Sequence, residues 1–284
     1  MTRIKTKTVS KIFEYAALTF FALLVIMPFS IIVFTSFKEQ GDAMKVPFTF
    51  VGANGLSMQG YKAFFDYGLL WSGLFNTMIT SFLPTFVCLL VSAVAAFAYA
   101  KINFPCKELM FSALIFTMMI PGTILLVPHY MQYSWFGWTS IGSFANFLPL
   151  IIPQLFGSVS MIFFLRQFLY AIPNSIIEAG KLDGLSWPGV FFRLIVPLMT
   201  PALLAQGLLH FIGQYNAYLG PMLYLQTDNY YTLQLIVATF KDFIGKNYPA
   251  QMACCILTMI PVLVLYVIFQ RYFVEGISTS GMKL

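Results

Sequence analysis

Residues 172–201 read IPNSIIEAGKLDGLSWPGVFFRLIVPLMTP, a polar segment between two long apolar stretches. Within it, Ser175 is followed three residues later by Glu178, the spacing of a capping box at the start of a helix. Gly184 can adopt the left-handed conformation that ends a helix. The segment therefore predicts a helix of about two turns, from Ile176 to Asp183.

This short helix needs a partner, because a helix of two turns is not stable alone in water. One of its faces contains Ile176, Ile177 and Gly180, with Leu182 or Asp183 beside them. Glycine permits a close approach between backbones at that point. We expect the helix to dock through this face on another protein, and a rigid contact of this kind transmits motion.

A second helix is predicted directly after the first. Ser186, Pro188 and Gly189 mark its start, since a serine cap followed by proline is typical of a helix N-terminus. Pro197 and Pro201 are expected to turn this helix into the next apolar stretch.

The composition of the whole chain is that of a membrane protein. It has 284 residues, of which 59% are hydrophobic and 9% are charged, and its mean hydropathy is +0.81. Several stretches reach the roughly 20 apolar residues that cross a bilayer as a helix. We predict an all-α integral membrane fold, a single domain over residues 1–284 with six transmembrane helices. The predicted spans are 14–36, 74–99, 109–128, 146–169, 200–225 and 250–271.

The distribution of Lys and Arg predicts the orientation of these spans. With both termini in the cytoplasm, that side holds eleven of the 16 basic residues, as the positive-inside rule requires. The loop 170–199 and the tail 272–284 are then cytoplasmic. The connections 38–73 and 226–249 are external, the first a loop with an aromatic surface helix, the second polar around a short apolar piece. The basic residues are scattered at span ends and form no stripe, so nucleic acid is not an expected partner.

The sequence lacks the residues that several classes of membrane protein require. No Asp, Glu, Lys or Arg lies near the centre of a span, whereas ion-coupled transporters keep ionisable groups there. No GxxxxGK[ST] motif occurs, so the chain has no P-loop for ATP. The two histidines, His129 and His210, are far apart in sequence and predict no metal site. We expect His129 to lie at the membrane interface and His210 to hydrogen-bond to a neighbouring helix.

The 172–201 segment resembles the EAA loop of ATP-binding-cassette (ABC) importer permeases. Glu178 and Ala179 match that motif, Gly180 replaces its second alanine, Gly184 has the family spacing, and Val196–Pro197 stands for its Leu-Pro pair. The resemblance implies an importer-type permease fold whose cytoplasmic coupling helix contacts an ATPase. The ATPase-coupling residues that it implies are Glu178, Ala179, Gly180, Asp183, Gly184 and Pro197.

Two further regions resemble the carbohydrate branch of this family, in particular its second permease subunit of the maltose-permease type. They are residues 61–77, with the Asn-Thr pair, and the ending VEGISTSGMKL from Val274. The resemblance implies a related permease as heterodimer partner, two ATPase subunits and an extracytoplasmic solute-binding protein, in a bacterial or archaeal cytoplasmic membrane. It implies no cofactor in this chain, since the partner ATPase binds ATP and magnesium. The tail would extend to the ATPase interface.

Polar residues interrupt the fifth predicted span, and glycines and a proline close by could break its helix. Amides and phenols suit neutral sugar hydroxyls, because they donate and accept hydrogen bonds without a net charge. Interhelical hydrogen bonding is an equally good explanation. The candidate substrate-path residues are Gln206, Gln214, Tyr215, Asn216 and Tyr218.

Three alternatives stay open at this point. The permease could carry another polar solute, such as glycerol phosphate or a peptide. The chain could be a secondary transporter or channel that acts without an ATPase. A membrane enzyme is disfavoured, because no catalytic cluster is visible in the sequence.

Overall fold

The computed structural model describes residues 2–281, with the side chains of residues 11–241 and 245–270. Within this part of the chain the structure is helical, and its only β pairing is an isolated bridge between Gly52 and Gly55. The α-helices are α1 (Thr2–Ser36), α2 (Gln59–Tyr67), α3 (Leu70–Lys101), α4 (Lys107–Thr117), α5 (Leu126–Trp135), α6 (Leu148–Ile151), α7 (Val159–Tyr170), α8 (Asn174–Leu182), α9 (Trp187–Val190), α10 (Val196–Tyr215), α11 (Leu219–Tyr224), α12 (Leu233–Ile244) and α13 (Tyr248–Gly281).

Five helical segments of the described chain are long and apolar enough to cross a membrane by themselves, and a bent pair of helices makes up to six. The all-α membrane fold predicted from the sequence is confirmed, and six spans agree with it. The five segments are Lys11–Ser36, Leu70–Lys101, Phe144–Tyr170, Trp187–Tyr224 and Tyr248–Gln270.

The third predicted span, 109–128, corresponds to a bent pair of helices. The structure places there two helical pieces, Lys107–Thr117 and Gly122–Trp135, which are bent by 78° relative to each other. Proline disfavours helical geometry in the residue before it. Pro121 itself is extended, with φ −62° and ψ 124°, and the helix therefore breaks just before it.

The fifth span begins earlier than predicted and contains a break. Its helical segment runs from Trp187 to Tyr224, against a prediction of 200–225. The chain leaves the helix at residues 216–218 and resumes at Leu219. Pro221 lies in the first turn of the new helix, where its missing N–H breaks no intrahelical bond. The sequence suggests a break caused by Gly213, Gly220 and Pro221, and the observed break lies between the first of these and the other two.

The chain divides into two compact units. The first comprises Met1–Leu70 and Ile236–Ile260. Here α2 packs on its neighbours through Phe64, which is fully buried with its ring centroid 5.1 Å from that of Phe240. Gly60 lies so close to the backbone of Pro249 that an added β-carbon would come within 2.6 Å. The expected aromatic helix in the first long connection is thus present and held by specific contacts.

The second unit comprises Trp71–Leu235 and Pro261–Leu284. Its apolar core draws on α3, α7, α10 and the segments around α8, with Ala96, Leu165 and Ile195 fully buried. Such burial removes apolar side chains from water and lipid alike and leaves the core close-packed.

A buried polar contact joins α3 to residues 229–233 in this unit. The side-chain amide of Asn76 donates hydrogen bonds to the carbonyls of Asn229 (2.8 Å) and Tyr231 (3.0 Å). The hydroxyl of Thr77 accepts one from the N–H of Leu233 at 2.8 Å. The Asn-Thr pair singled out in the sequence therefore fastens a connecting segment to a long helix.

The C-terminal region differs from the prediction of an extended tail over 272–284. In the structure α13 continues as a helix to Gly281. Residues 282–284, including Lys283, lie outside the described part of the chain.

Candidate functional site: the loop between residues 170 and 199

The short helix of the loop is α8, Asn174–Leu182, which starts two residues before the prediction. Pro173 is its N-cap residue, with φ −61° and ψ 140°, and no side chain caps the helix. The predicted capping box of Ser175 and Glu178 is therefore wrong. Ser175 already lies within the first turn, because Pro173 is extended and the helix begins directly after it.

The end of α8 is as predicted. Gly184 has φ +81°, in the left-handed region that glycine adopts without strain. Its N–H donates to the carbonyl of Lys181 at 3.1 Å, and the N–H of Leu185 donates to that of Gly180 at 2.9 Å. These two bonds form a Schellman motif, which satisfies carbonyls that the helix leaves open.

The exposed face of α8 differs from the expected docking face. Ile177 and Gly180 are buried within the chain, and a β-carbon at Gly180 would come within 2.6 Å of Leu194. Both therefore hold the helix on its own subunit. The residues that remain available to another protein include Glu178, Ala179, Leu182 and Asp183, with Leu182 89% exposed.

The chain after α8 forms the predicted second helix. The hydroxyl of Ser186 accepts a hydrogen bond from the N–H of Gly189 and caps α9. A π-helical turn, Phe191–Ile195, then leads into α10, whose first turn contains Pro197. Because proline has no N–H to donate, a local change of helix type there is expected.

The start of α8 is fastened to the end of α3. The ammonium of Lys101 donates to the carbonyl of Ile172 at 2.6 Å and to the side-chain oxygen of Asn174 at 2.8 Å. The ammonium of Lys181 lies 3.9 Å from the ring centroid of Trp187. An open cleft beside the helix is lined by Asn103, Asn174, Glu178, Lys181 and Trp187 among others.

A charged cluster near the loop was not found from the sequence. The guanidinium of Arg166 binds both carboxylate oxygens of Glu108, at 2.7 and 2.8 Å, and donates to the carbonyl of Tyr99 at 3.3 Å. It also lies 3.8 Å from the ring centroid of Phe111. These contacts join α3, α4 and α7 at one end of the unit. Sequence distance hides them, because Glu108 and Arg166 are far apart along the chain.

The candidate substrate-path residues lie in different environments. Tyr215 is 1% exposed, with its ring 5.7 Å from that of Phe211. Asn216 lies at the break after α10, where its side-chain oxygen accepts a hydrogen bond from Gln234 at 2.9 Å. Tyr218 is 42% exposed.

The remaining two candidates, Gln206 and Gln214, are half-buried on α10. Between them lies His210, which the sequence assigned to interhelical hydrogen bonding. Its Nδ1 lies 2.9 Å from the hydroxyl oxygen of Thr85 on α3. That prediction is confirmed.

Comparison with known proteins identifies the family. Residues 77–279 match the family described as binding-protein-dependent transport system inner membrane component. The arabinooligosaccharides transport system permease protein AraQ of Halalkalibacterium halodurans is 26% identical over 266 residues, which cover 93% of each chain. The lactose transport system permease protein LacG of Rhizobium radiobacter is 27% identical, with 95% of each chain covered.

A solved structure shares the fold. A chain of a bacterial ABC transporter that imports the acidic polysaccharide alginate superposes with a TM-score of 0.80 at 20% identity, covering 94% of this chain and 98% of that one.

Fold, span count and family match together define a multi-pass inner-membrane component of a transport system. The chain belongs to the family of binding-protein-dependent transport system inner membrane components. The resemblance to ABC importer permeases deduced from the loop is thereby confirmed.

Proposed function

We propose that the chain is one of two related permease subunits of an ABC importer for a carbohydrate, in particular an oligosaccharide. Relatives named for arabinooligosaccharides and lactose align over nearly their whole length and support this substrate class. In this proposal a solute-binding protein delivers the sugar from outside. Two ATPase subunits bind ATP and magnesium, and both termini of the chain lie in the cytoplasm.

The exposed edge of α8 couples the permease to the ATPase. The observation that carries this proposal is that α8 is anchored to its own subunit at its start and on its buried face, while its other face is exposed. Lys101 holds its start, and Ile177 and Gly180 pack its buried face on the subunit, with Gly180 close to Leu194. A short helix held in this way moves as one body with α3 and α10, so a push on Glu178, Ala179, Leu182 and Asp183 reaches the pore.

Purification of the tagged chain from its native membrane tests the proposal. We expect an ATPase and a second permease to co-purify. Gly184→Glu should abolish recovery of the ATPase, because a side chain at φ +81° strains the end of α8 and adds charge at the docking edge. Gly184→Asn is the matched control, since asparagine tolerates the left-handed region, and it should retain the ATPase.

Two results would contradict the assignment. One is a wild-type chain that purifies without any ATPase. The other is a Gly184→Glu chain that keeps both the ATPase and wild-type uptake. The substrate class is tested separately, by uptake of arabinotriose, lactose, diacetylchitobiose, glycerol 3-phosphate and a tripeptide in cells with and without the gene.

A further inference from the structure

Three polar residues of α10 lie on one face of an otherwise apolar helix. Gln206, His210 and Gln214 are separated by four residues each, so their side chains follow one another along the helix over about 12 Å. We call this set the polar stripe. The sequence had singled out the two glutamines but had given His210 a purely structural role.

The polar stripe is half-buried, and its hydrogen-bonding capacity is mostly unused. Among the residues with described side chains, neither the amide of Gln206 nor that of Gln214 has a hydrogen-bond partner. His210 has one, Thr85, through a single ring nitrogen. Polar groups that face hydrocarbon without a partner are costly, so this face meets either protein or water in the assembled transporter.

The side of α10 next to the polar stripe is apolar. Leu204, Leu208 and Phe211 line a cavity together with Phe86 of α3 and Leu265 of α13, and nearly all of its lining is apolar. The helix thus offers an apolar wall, and the polar stripe borders it, because Thr85, the hydrogen-bond partner of His210, also lines the cavity. Only the apolar wall suits lipid tails.

We propose that the polar stripe is a sugar-binding surface in the water-filled part of the translocation path. The two amides each donate and accept, which matches a hydroxyl. The contact between Thr85 and Nδ1 orients the imidazole of His210 and leaves Nε2 for a second hydroxyl. Thr85 is a positioning residue in this arrangement.

The chemistry of the polar stripe also restricts the charge of the ligand that it can bind. The two amides carry no charge, so they match an uncharged, hydroxyl-rich solute better than a phosphorylated one. This inference rests on the proposed carbohydrate importer and names the part of this subunit that touches its cargo. It leaves Tyr215 and Asn216 in structural roles, since the first is buried and the second is bound to Gln234.

Thiol labelling of the assembled transporter tests the inference. The four native cysteines, Cys88, Cys106, Cys254 and Cys255, are first replaced by alanine. Single cysteines are then introduced as Gln206→Cys, His210→Cys and Gln214→Cys, with Leu204→Cys from the apolar wall as the matched control. The probe is the water-soluble reagent 2-sulfonatoethyl methanethiosulfonate, applied with and without ATP and vanadate.

We expect at least two of the three stripe positions to react at least tenfold faster than Leu204→Cys in one nucleotide state. Reaction no faster than the control at all three positions would overturn the inference, because the stripe would then be packed against protein. Co-purification of the ATPase with each variant is measured in parallel. If the stripe positions are not labelled but the ATPase still co-purifies, the inference about the stripe is refuted and the proposed function is not. If the unmutated chain purifies without an ATPase, the proposed function itself is refuted.

Discussion

Leu194 occupies the space that a side chain would need at Gly180. A β-carbon added to the glycine would come within 2.6 Å of Cδ1 of Leu194, and two further side chains lie at ordinary contact distance. The EAA motif that the loop resembles has alanine at this position. At this close approach of α8 to the segment after α9, a larger residue fits only if the side chain of Leu194 moves.

Replacement of Gly180 by alanine should change the free energy of unfolding with a sign that depends on Leu194. Alanine favours a helix by about 0.8–1 kcal/mol over glycine, whereas overpacking costs about 1–3 kcal/mol. We expect Gly180→Ala to lower the midpoint of thermal unfolding in detergent. In a Leu194→Ala background the same change should raise it. An equal effect in both backgrounds would show that the two residues are not in contact.

The stability of the protein should depend on the hydrogen-bond donor of the Asn76 side chain more than on the size of that side chain. Asn76→Ala removes two buried hydrogen bonds, a loss of about 1–3 kcal/mol. Asn76→Asp is nearly isosteric but turns a carboxylate toward two carbonyl oxygens, so we expect it to be at least as destabilising. Hydrogen exchange of residues 229–233 measures both. Wild-type protection in Asn76→Asp would rule out the proposed donor role.

Substitution of Arg166 should lower the stability of the protein more than substitution of Glu108. The side chain of Arg166 is 7% exposed and that of Glu108 is 69% exposed. Glu108→Gln keeps an acceptor in partial contact with water and should cost about 1 kcal/mol or less. Arg166→Lys should cost more, because lysine lacks the planar fork and stacks less well on Phe111. Thermal unfolding of the two variants decides the order, and the reverse order would contradict the structure.

The loop around Asp42 should loosen in acid. Its carboxylate accepts hydrogen bonds from the ammonium of Lys45 at 2.5 Å and from the N–H of Ala53 at 2.7 Å, and these lower the pKa of Asp42. A lowered pKa in the folded state stabilises the loop above the unfolded value of about 3.9, and this contribution is lost as pH falls through the lowered pKa.

Pepsin cleavage within residues 42–55 should therefore rise as the pH falls from about 4 toward 2. Asp42→Asn should remove this pH dependence. The exposed Asp66 supplies the matched control, and Asp66→Asn should leave it unchanged. A pH dependence that survives in Asp42→Asn would assign it to another group.

The sequence predicted the features that depend on local chemistry. Long apolar stretches indicated the spans, Gly184 the end of α8, and Ser186 the start of α9. The contact of His210 with a neighbouring helix was also expected, since a lone polar ring in a span needs a partner. In each case the residue itself or its immediate neighbours decide the outcome.

The sequence did not predict the features that depend on contacts between distant parts of the chain. The exposed face of α8 could not be read from its apolar pattern, because Ile177 and Gly180 pack on their own subunit. The capping box failed because Pro173 moved the helix start, and the third span broke at Pro121. The bond between Arg166 and Glu108 left no local signal, and α12 was hidden in a connection read as polar.

Sugar uptake by reconstituted vesicles tests the central claim, that a separate ATPase drives this subunit through α8. The chain is placed in liposomes alone or with its co-purified companions, with ATP or with a proton or sodium gradient. Radiolabelled arabinotriose, lactose or diacetylchitobiose is supplied together with the solute-binding protein. We predict uptake only for the complete assembly with ATP, and its loss in Gly184→Glu. Uptake by the chain alone, driven by an ion gradient without ATP, would contradict the account.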